Sequence, residues 1–476
     1  MKMLKLSQAI LLSLGLAVSL TACNDDDNNA TSNIDDTNTA SALDLKILHI
    51  NDHHSHLESD GITLTLAGAD TDAEMGGFAR VVSKINELRA TSDNVLTLHA
   101  GDAITGTLYY TLFRGEADAE VMNQVCFDAF ALGNHEFDDG DAGLKDFLSY
   151  LNGSNVCKTP VLAANVVPEV GVSPLTPVSA TDYIQPYVIK EVAGEQVGII
   201  GIDIANKTKN SSNPDATTEF LDEVTTAQQY ITELTDQGVN KIILMTHYQY
   251  ANDLAMAPQL EGVDVIVGGD SHTLLGDGLA DYGMSPAGAY PTQLADANES
   301  PVCIVQAWQY SNVVGELNVS FDAEGNVTEC AGTPHVLLGD TFTREDENGD
   351  DVELAGADLT AVQDAIAAAD ELSIVTPDAT TEALLANYTA QVEFLTAQSI
   401  GNVAEDLCLV RFPGETRSQI CDPADTYAQG SDISNIVALA FRTMSNTSDI
   451  ALQNGGGVRT DIAAGDISIG DAYTLL

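Results

Sequence analysis

The sequence predicts a layered α/β domain followed by a smaller α/β unit. Three observations carry that prediction. Short apolar runs alternate with segments of helical periodicity, the runs end on Asp, Asn or His beside glycine, and the pattern changes after about Ala323. At 476 residues the chain exceeds what one core usually supports, so two domains are expected.

The first residues read as a targeting segment and stay outside the fold. Lys2 and Lys5 precede an apolar run from Ala9 to Leu20, too short to span a bilayer, and Leu20-Thr21-Ala22-Cys23 resembles a bacterial lipobox. Residues 1–23 are therefore expected to be a lipoprotein signal peptide with Cys23 as the lipidated residue. Residues 24–43, rich in Asp, Asn, Thr and Ser, follow as a disordered tether. The expected protein is exported, in the periplasm or at the cell surface, touching the membrane only through its lipid.

Leu45 to Ile50 is the first expected strand, and a polar loop leads from it to Gly76-Gly77. Phe78 to Leu88 has helical apolar spacing, with Arg80 and Lys84 on another face. Strands follow at Asn94 to His99, Ala129 to Leu132, Val161 to Val166, Gln196 to Ile204, Lys241 to Met245 and Val263 to Val267. Helices are expected at Glu116 to Asn123, Leu144 to Leu151 and Thr225 to Leu234. Residues 44–340 form the expected first domain. An acidic loop, Asp340 to Asp351, and helices Leu359 to Leu372 and Thr381 to Leu395 make up a linking region, 341–399. From Ile400 a smaller α/β unit begins, with a helix from Asp432 to Met444 and a strand at Ile450 to Gln453. It stops inside an apolar element, so the C-terminal domain, 400–476, is expected to be incomplete.

Charge excludes some partners. Seventy-one acidic residues against 18 basic ones leave −53, a surface that repels nucleic acid and anionic membranes. Export agrees with cysteine usage: beside Cys23, six remain, and nearest-neighbour pairing is the simplest of fifteen connectivities. It joins Cys126 to Cys157, Cys303 to Cys330 and Cys408 to Cys421.

The chemistry lies at the strand ends. Asp52, His54, Asp102, Asn134, His247 and His272 mix carboxylate, amide and imidazole donors, a set suited to Zn²⁺ or Mn²⁺, with Mg²⁺ as a further candidate. One carboxylate bridging two metals would hold them roughly 3.5–4 Å apart, the arrangement that clamps phosphoryl oxygens in an in-line displacement. Any one of these histidines alone reads best as a core or loop residue. Six of the nine histidines fall in or beside such motifs, which makes chance clustering a poor explanation.

Asn51-Asp52-His53-His54, Gly101-Asp102, Gly133-Asn134-His135-Glu136, Thr246-His247 and Gly268-Gly269-Asp270-Ser271-His272 resemble the metallophosphoesterase blocks of the bacterial 5′-nucleotidase and UDP-sugar hydrolase family. Asn454-Gly455-Gly456-Gly457-Val458-Arg459 is similar to the glycine-rich block of that family's C-terminal domain. Leu407 to Arg411 with Gly430 to Ser434 is most similar to the NAD nucleotidase branch. The resemblance implies a four-layer α/β/β/α sandwich followed by a substrate-binding domain, and a metal-bridging hydroxide attacking a nucleotide phosphate or pyrophosphate. It implies that Asp52, His54, His272 and Asp102 hold one metal, and that Asn134 and His247 hold the other while sharing Asp102. Asp270 stands where relatives usually carry His, either as a harder ligand or as a non-ligating turn residue. His135 becomes the catalytic imidazole with Asp138 as its partner, and His53 an orienting or solvated neighbour.

Arginine is scarce, eight in all, yet Arg411, Arg417, Arg442 and Arg459 fall in the last 66 residues. That enrichment suits phosphate recognition. Arg459, Arg411 and Arg417, with Asn454 and Gly456, are the candidate substrate contacts, while Arg442 reads as a solvated helix face. Closure between the domains would bring both sets together, with a hinge near Leu359 to Leu395. The protein is expected to act as a monomer. A cyclic phosphodiesterase or thiosulfohydrolase on the same scaffold is the nearer alternative, and a non-enzymatic Ca²⁺-binding surface lipoprotein the distant one.

Overall fold

The computed structural model describes residues 41–153, 156–347, 349–410, 418, 420–421, 431–445, 447–453 and 457–475. The expected leader and tether, Cys23 included, lie outside them apart from the tether's last residues. Leu43–Ile50 shows how the sequence builds the fold. Its alternation sends Leu43, Leu45 and Ile47 to one face and Leu48 and Ile50 to the other, and all five are buried. A strand apolar on both faces must be covered on both faces, which dictates layers.

Two sheets result. In the first, Leu43–Ile50, Val95–His99, Ala129–Ala131 and Val161–Leu162 run parallel, and Val313–Phe321 and Val327–Glu345 extend the other edge antiparallel. In the second, Glu195–Asp203, Ile242–His247, Val265–Val267 and Pro301–Val305 are parallel neighbours. Leu45, Ile47, Leu96 and Leu98 of one sheet meet Ile199, Ile243, Met245 and Val265 of the other in a single buried cluster. Helices Phe78–Arg89, Glu116–Val125 and Gly140–Gly153 cover the outer face of the first sheet, and Glu223–Asp236 and Tyr250–Met256 that of the second. The order is helix, sheet, sheet, helix. The parallel strands of both sheets end along the same edge, where α/β folds place their sites.

Several segments differ from the sequence expectation, each for a local reason. The polar loop before Gly76 is a hairpin, Ser59–Leu66 with Ala69–Gly76, turning at Ala67 and Gly68 with φ 49° and 83°. Its Leu64 and Leu66, Ala73 and Met75 alternate into a buried cluster, so the period-two signal was present beneath the acidic residues. Arg80 and Lys84, on the other face of their helix, are buried as well. Arg80 donates to the carbonyls of Val375 and Gly76 and pairs with Glu74 at 2.6 Å. Val161 to Val166 is divided between Val161–Leu162 and Val166–Pro168, which join different sheets. The helix expected to reach Leu372 ends at Ala367, and Leu372–Ile374 instead pairs with Val327–Glu345, a strand that runs through position 340. Ile450 to Gln453 forms no strand.

Helix Ala379–Thr396 docks on the first domain. Leu385 joins the cluster beneath the first sheet, Tyr388 meets Phe113 edge-on with centroids 4.7 Å apart, and the Tyr109 and Thr389 hydroxyls are hydrogen-bonded at 2.6 Å. Beyond it, Ser399–Val403 pairs with Gly465–Ser468, and helix Asp432–Met444 packs Ile433 and Val437 onto Leu409, Val458 and Ile462. Cys126 and Cys157, Cys303 and Cys330, and Cys408 and Cys421 are paired as expected, with Cα atoms 5.7, 6.3 and 5.9 Å apart. No helix among the described residues is long and apolar enough to cross a membrane.

One ion network ties the antiparallel edge to the parallel strands. Glu316 bonds His335 at 3.0 Å and Lys46 at 2.5 Å, contacts that pull its pKa down to about 2. A carboxyl held below its unfolded value stabilises the fold above the unfolded pKa and loses that contribution as pH falls through the folded one. Glu316→Gln should therefore cost roughly 1–3 kcal/mol at pH 7, a gap to wild type that closes between about pH 4.5 and 2. Urea unfolding at a series of pH values measures it; a gap independent of pH contradicts the ionic account.

Candidate metal centre

The strand ends converge on three imidazoles and a set of carboxylates. Asp52 follows Leu43–Ile50, Asp102 follows Val95–His99, His247 closes Ile242–His247, and Asp270 and His272 follow Val265–Val267. Among the described residues two groups have ligand atoms mutually within 4.8 Å: Asp52, His54 and His272, and Asp52, Asp102 and His247. His247 Nε2 lies 2.9 Å from Asp102 Oδ2 and 3.7 Å from Asp52 Oδ1. On the other side His272 Nε2 is 3.4 Å from Asp52 Oδ1, and His54 Nε2 is 3.6 Å from Asp102 Oδ2 and 3.8 Å from Asp52 Oδ1. Asp52 and Asp102 thus both lie between the two groups, where the sequence reading shared Asp102 alone.

Each imidazole is aimed by its other nitrogen. Nδ1–H of His247 donates to the carbonyl of Ala100 at 2.8 Å, that of His54 to Thr105 at 3.2 Å, and that of His272 to the Gln309 amide oxygen at 2.9 Å. Fixing the proton on Nδ1 leaves three Nε2 lone pairs facing inward. The Nε2 atoms of His54 and His272 then sit 3.2 Å apart with no proton to share, and His247 Nε2 is buried without a hydrogen-bond partner. Both side-chain atoms of buried Asn134 and Oδ2 of Asp270 are equally unpartnered. The lone-pair atoms among these, His247 Nε2, Asn134 Oδ1 and Asp270 Oδ2, are costly to leave bare in a closed protein and are what a divalent cation satisfies, so the residues fit one.

The backbone is shaped to the same end. Asp52, His54, Asp102, Asp270 and His272 all have φ between 48° and 69°, the left-handed region that non-glycine residues avoid. Two glycines permit the close packing: a Cβ on Gly133 would sit 2.7 Å from His247 Nε2, and one on Gly269 2.6 Å from the Ala100 carbonyl. Asp52 is steadied by the Asn51 amide at 2.7 Å and the Asp270 N–H at 3.0 Å.

His135 lies beside the cluster, its ring 5.1 Å from that of His54. Its backbone N–H donates to Asp102 Oδ1, and its Nδ1 bonds Asp138 at 2.7 Å. Burial opposes its protonation, but Asp138, Asp102 and Glu136 outweigh that and raise its pKa to about 9. Arg459 is exposed. Burial raises the pKa of Tyr310, whose ring is 5.8 Å from that of His272, while the Arg459 guanidinium acts in the opposite sense, so this cation is within electrostatic reach of the site. Arg442 is exposed on its helix, as expected. Arg411, Arg417, Asn454 and Gly456 lie outside the described residues.

Other residues carry roles the sequence left blank. Glu136, buried, accepts from the N–H groups of Asp102, Ala103 and Gly133 at 2.9, 2.7 and 2.6 Å and so clamps two ligand loops together. Lys207 pairs with Asp270. It follows the strand Glu195–Asp203, so the strand-end rule that found the others points to it too. Gln309 follows Pro301–Val305, an apolar run the sequence reading passed over. His53 is neither solvated nor a ligand; buried, it bonds His99 at 2.8 Å and Asp118 at 3.2 Å behind the loop.

Comparison with known proteins agrees with this geometry. Residues 45–274 match the calcineurin-like phosphoesterase family, and residues 413–476 match the 5′-nucleotidase C-terminal domain. The chain is 39% identical to a Treponema pallidum protein called "Probable 5′-nucleotidase", across 92% of this chain and 72% of that one. It is also 39% identical to the NAD 5′-nucleotidase of Haemophilus influenzae, across 91% and 70% of the two chains. The solved structure of Haemophilus influenzae NAD nucleotidase superposes with a TM-score of 0.76, covering 92% of this chain and 75% of that one.

Gly133→Ala should lower metal affinity by roughly 10- to 100-fold, because the added methyl displaces Asp102 and His247 together. Calorimetric titration with Mn²⁺ measures this, and unchanged affinity in a variant with wild-type circular dichroism refutes the packing account.

Proposed function

The chain belongs to the 5′-nucleotidase family, a calcineurin-like phosphoesterase domain joined to a 5′-nucleotidase C-terminal domain, and on that premise we propose that it is an exported dinuclear-metal phosphohydrolase of nucleotides. It is a hydrolase of phosphoric esters, and its residues are able to hold divalent metal. Our reading is that nucleoside 5′-monophosphates are its substrates, with the pyrophosphate of NAD or of UDP-sugars also cleaved. The observation that carries it is the convergence of three inward Nε2 atoms on Asp52 and Asp102, beside an imidazole reserved for protonation.

Asp52, His54 and His272, with Asp102, would hold one metal, and Asp102, Asn134 and His247 the second, with Asp270 as a further ligand. Such metals supply Lewis acidity toward phosphoryl oxygens and make a water acidic enough to attack phosphorus at neutral pH. Asp138 keeps the His135 proton on Nδ1, so Nε2 is the atom that meets the substrate. As imidazolium, His135 donates there to a phosphoryl oxygen or to the departing alkoxide. Asn134, beside it, offers an amide with no competing partner. Arg459 gives the phosphate or ribose side a planar cation in an otherwise acidic chain. Export and lipid anchoring rest on residues 1–23 and suit a chain with three disulfides.

A panel of AMP, NAD, UDP-glucose and 2′,3′-cyclic AMP, each with Mn²⁺, Zn²⁺ and Mg²⁺, tests the reading. Phosphate release from AMP is expected, and activity confined to the cyclic nucleotide would replace it with the phosphodiesterase alternative. His135→Ala should lower kcat for AMP by roughly 10²- to 10⁴-fold while metal content stays at the wild-type level. Asp102→Ala should instead lose metal, as elemental analysis will read; two metals retained would sink its assigned role. Asp270→His should move the metal preference from Mn²⁺ toward Zn²⁺, and identical activation profiles would make Asp270 a mere turn residue.

A further inference from the structure

Asp270 is held in the same manner as the histidines around it, with one donor atom anchored and the other bare. Its Oδ1 accepts from the Lys207 ammonium, and its Oδ2 is buried without a hydrogen-bond partner. Oδ1 also lies 3.8 Å from His247 Nε2, so Lys207 reaches the edge of the cluster itself. A fixed piece of backbone delivers the lysine there. The strand Glu195–Asp203 leads into helix Ala205–Ser211, whose Ala205 N–H donates to Glu223 Oε1 at 2.8 Å and whose Thr208 hydroxyl bonds Asp203 Oδ2 at 2.7 Å. The Asp270 side chain is fully buried while 32% of the Lys207 side chain is exposed, so the pair joins a sealed carboxylate to a cation at the surface.

A buried carboxylate without a partner is costly, and the ion pair removes that cost. Stability alone accounts for the lysine once the aspartate is present, but not for the aspartate. Charge accounts for both. Two divalent ions set against Asp52, Asp102 and Asp270 leave one positive charge on the site. A neutral imidazole at position 270 would leave two, and Lys207 restores the second. The difference bears on an anionic substrate, because a phosphomonoester arrives as a dianion and the chain as a whole, at −53, repels it. We propose that Lys207 is a positioning residue that makes Asp270 the electrostatic equivalent of a histidine ligand, and so keeps the metal-loaded site cationic enough to capture a phosphate dianion. The inference rests on the reading of Asp270 as a ligand. It has a signature that a structural clamp lacks. Without Lys207 an uncompensated Asp270 attracts metal more strongly and phosphate less, whereas loss of a clamp loosens both.

The test uses the full chain, freed of metal by a chelator. Calorimetry follows Mn²⁺ binding to it, then orthophosphate binding to the Mn²⁺-loaded protein. Lys207→Met should bind Mn²⁺ roughly fivefold more tightly and orthophosphate roughly tenfold more weakly, and Lys207→Arg should stay near wild type on both. Asp270→His should do the reverse of Lys207→Met, because it leaves an unpaired ammonium beside the metals. Asp270→His combined with Lys207→Met lacks the ion pair but has the wild-type charge, and should bind both within about threefold of wild type. Weaker Mn²⁺ binding in Lys207→Met, or a double variant impaired on both ligands, makes the pair a clamp and overturns the inference. Should Asp270→His shift both affinities while Lys207→Met leaves that for orthophosphate unchanged, the role of Lys207 alone is refuted. Should Asp270→His shift neither, Asp270 is no ligand and both readings fall.

Discussion

One buried hydrogen bond joins the two sheets at their working edge: Nδ1–H of His247, at the end of a strand in the second sheet, to the carbonyl of Ala100, just past a strand of the first. Its donor nitrogen fixes the sheet spacing at that point, and its other nitrogen faces Asp102. Everything nearby is adjusted to that contact. Gly133 and Gly269 have no side chain because one would strike the imidazole or the carbonyl, and Glu136 holds the Asp102 and Gly133 loops in the register the contact requires. The architecture and the metal-binding chemistry are therefore set by the same few atoms.

The left-handed conformations of Asp52, His54, Asp102, Asp270 and His272 follow from the same constraint. A strand that simply continued would carry alternate side chains to opposite faces and separate these donors. A left-handed residue turns the chain back immediately and keeps them at one point. Each costs of order 1 kcal/mol and persists because the surrounding sheets leave no alternative. Rigidity is the return: the donors are preorganised by backbone shape and by Nδ1 anchors before any ligand arrives.

Much of this was legible in the sequence, for identifiable reasons. The α/β alternation survives in apolar runs such as Gln196 to Ile204, and the ligands stand at run ends beside glycines, so strand ends alone locate Asp52, Asp102, His247 and His272. What was not legible depends on partners distant in the chain. Nothing in Gly-Asn-His-Glu says that the glutamate reaches back to the amides of Asp102 and Ala103. Nothing around Arg80 in the sequence says that the Val375 segment, nearly 300 residues on, covers it. The hairpin at Ser59–Leu66 was hidden by acidic residues on its exposed face, and the long strand Val327–Glu345 by a composition that looked like the start of a linker.

The acidic surface has a kinetic consequence. With a net charge of −53, the chain repels an anionic nucleotide at long range, while at the mouth of the site Lys207, paired with Asp270, and Arg459 act from close by. For most enzymes of charged substrates, electrostatic steering is attractive and salt slows capture. Here the long-range field opposes encounter and the favourable charges act only at short range. Added electrolyte shortens the reach of the repulsion to about 8–10 Å near physiological strength, while leaving contacts at the mouth largely intact. Substrate capture by such a molecule quickens as ionic strength rises.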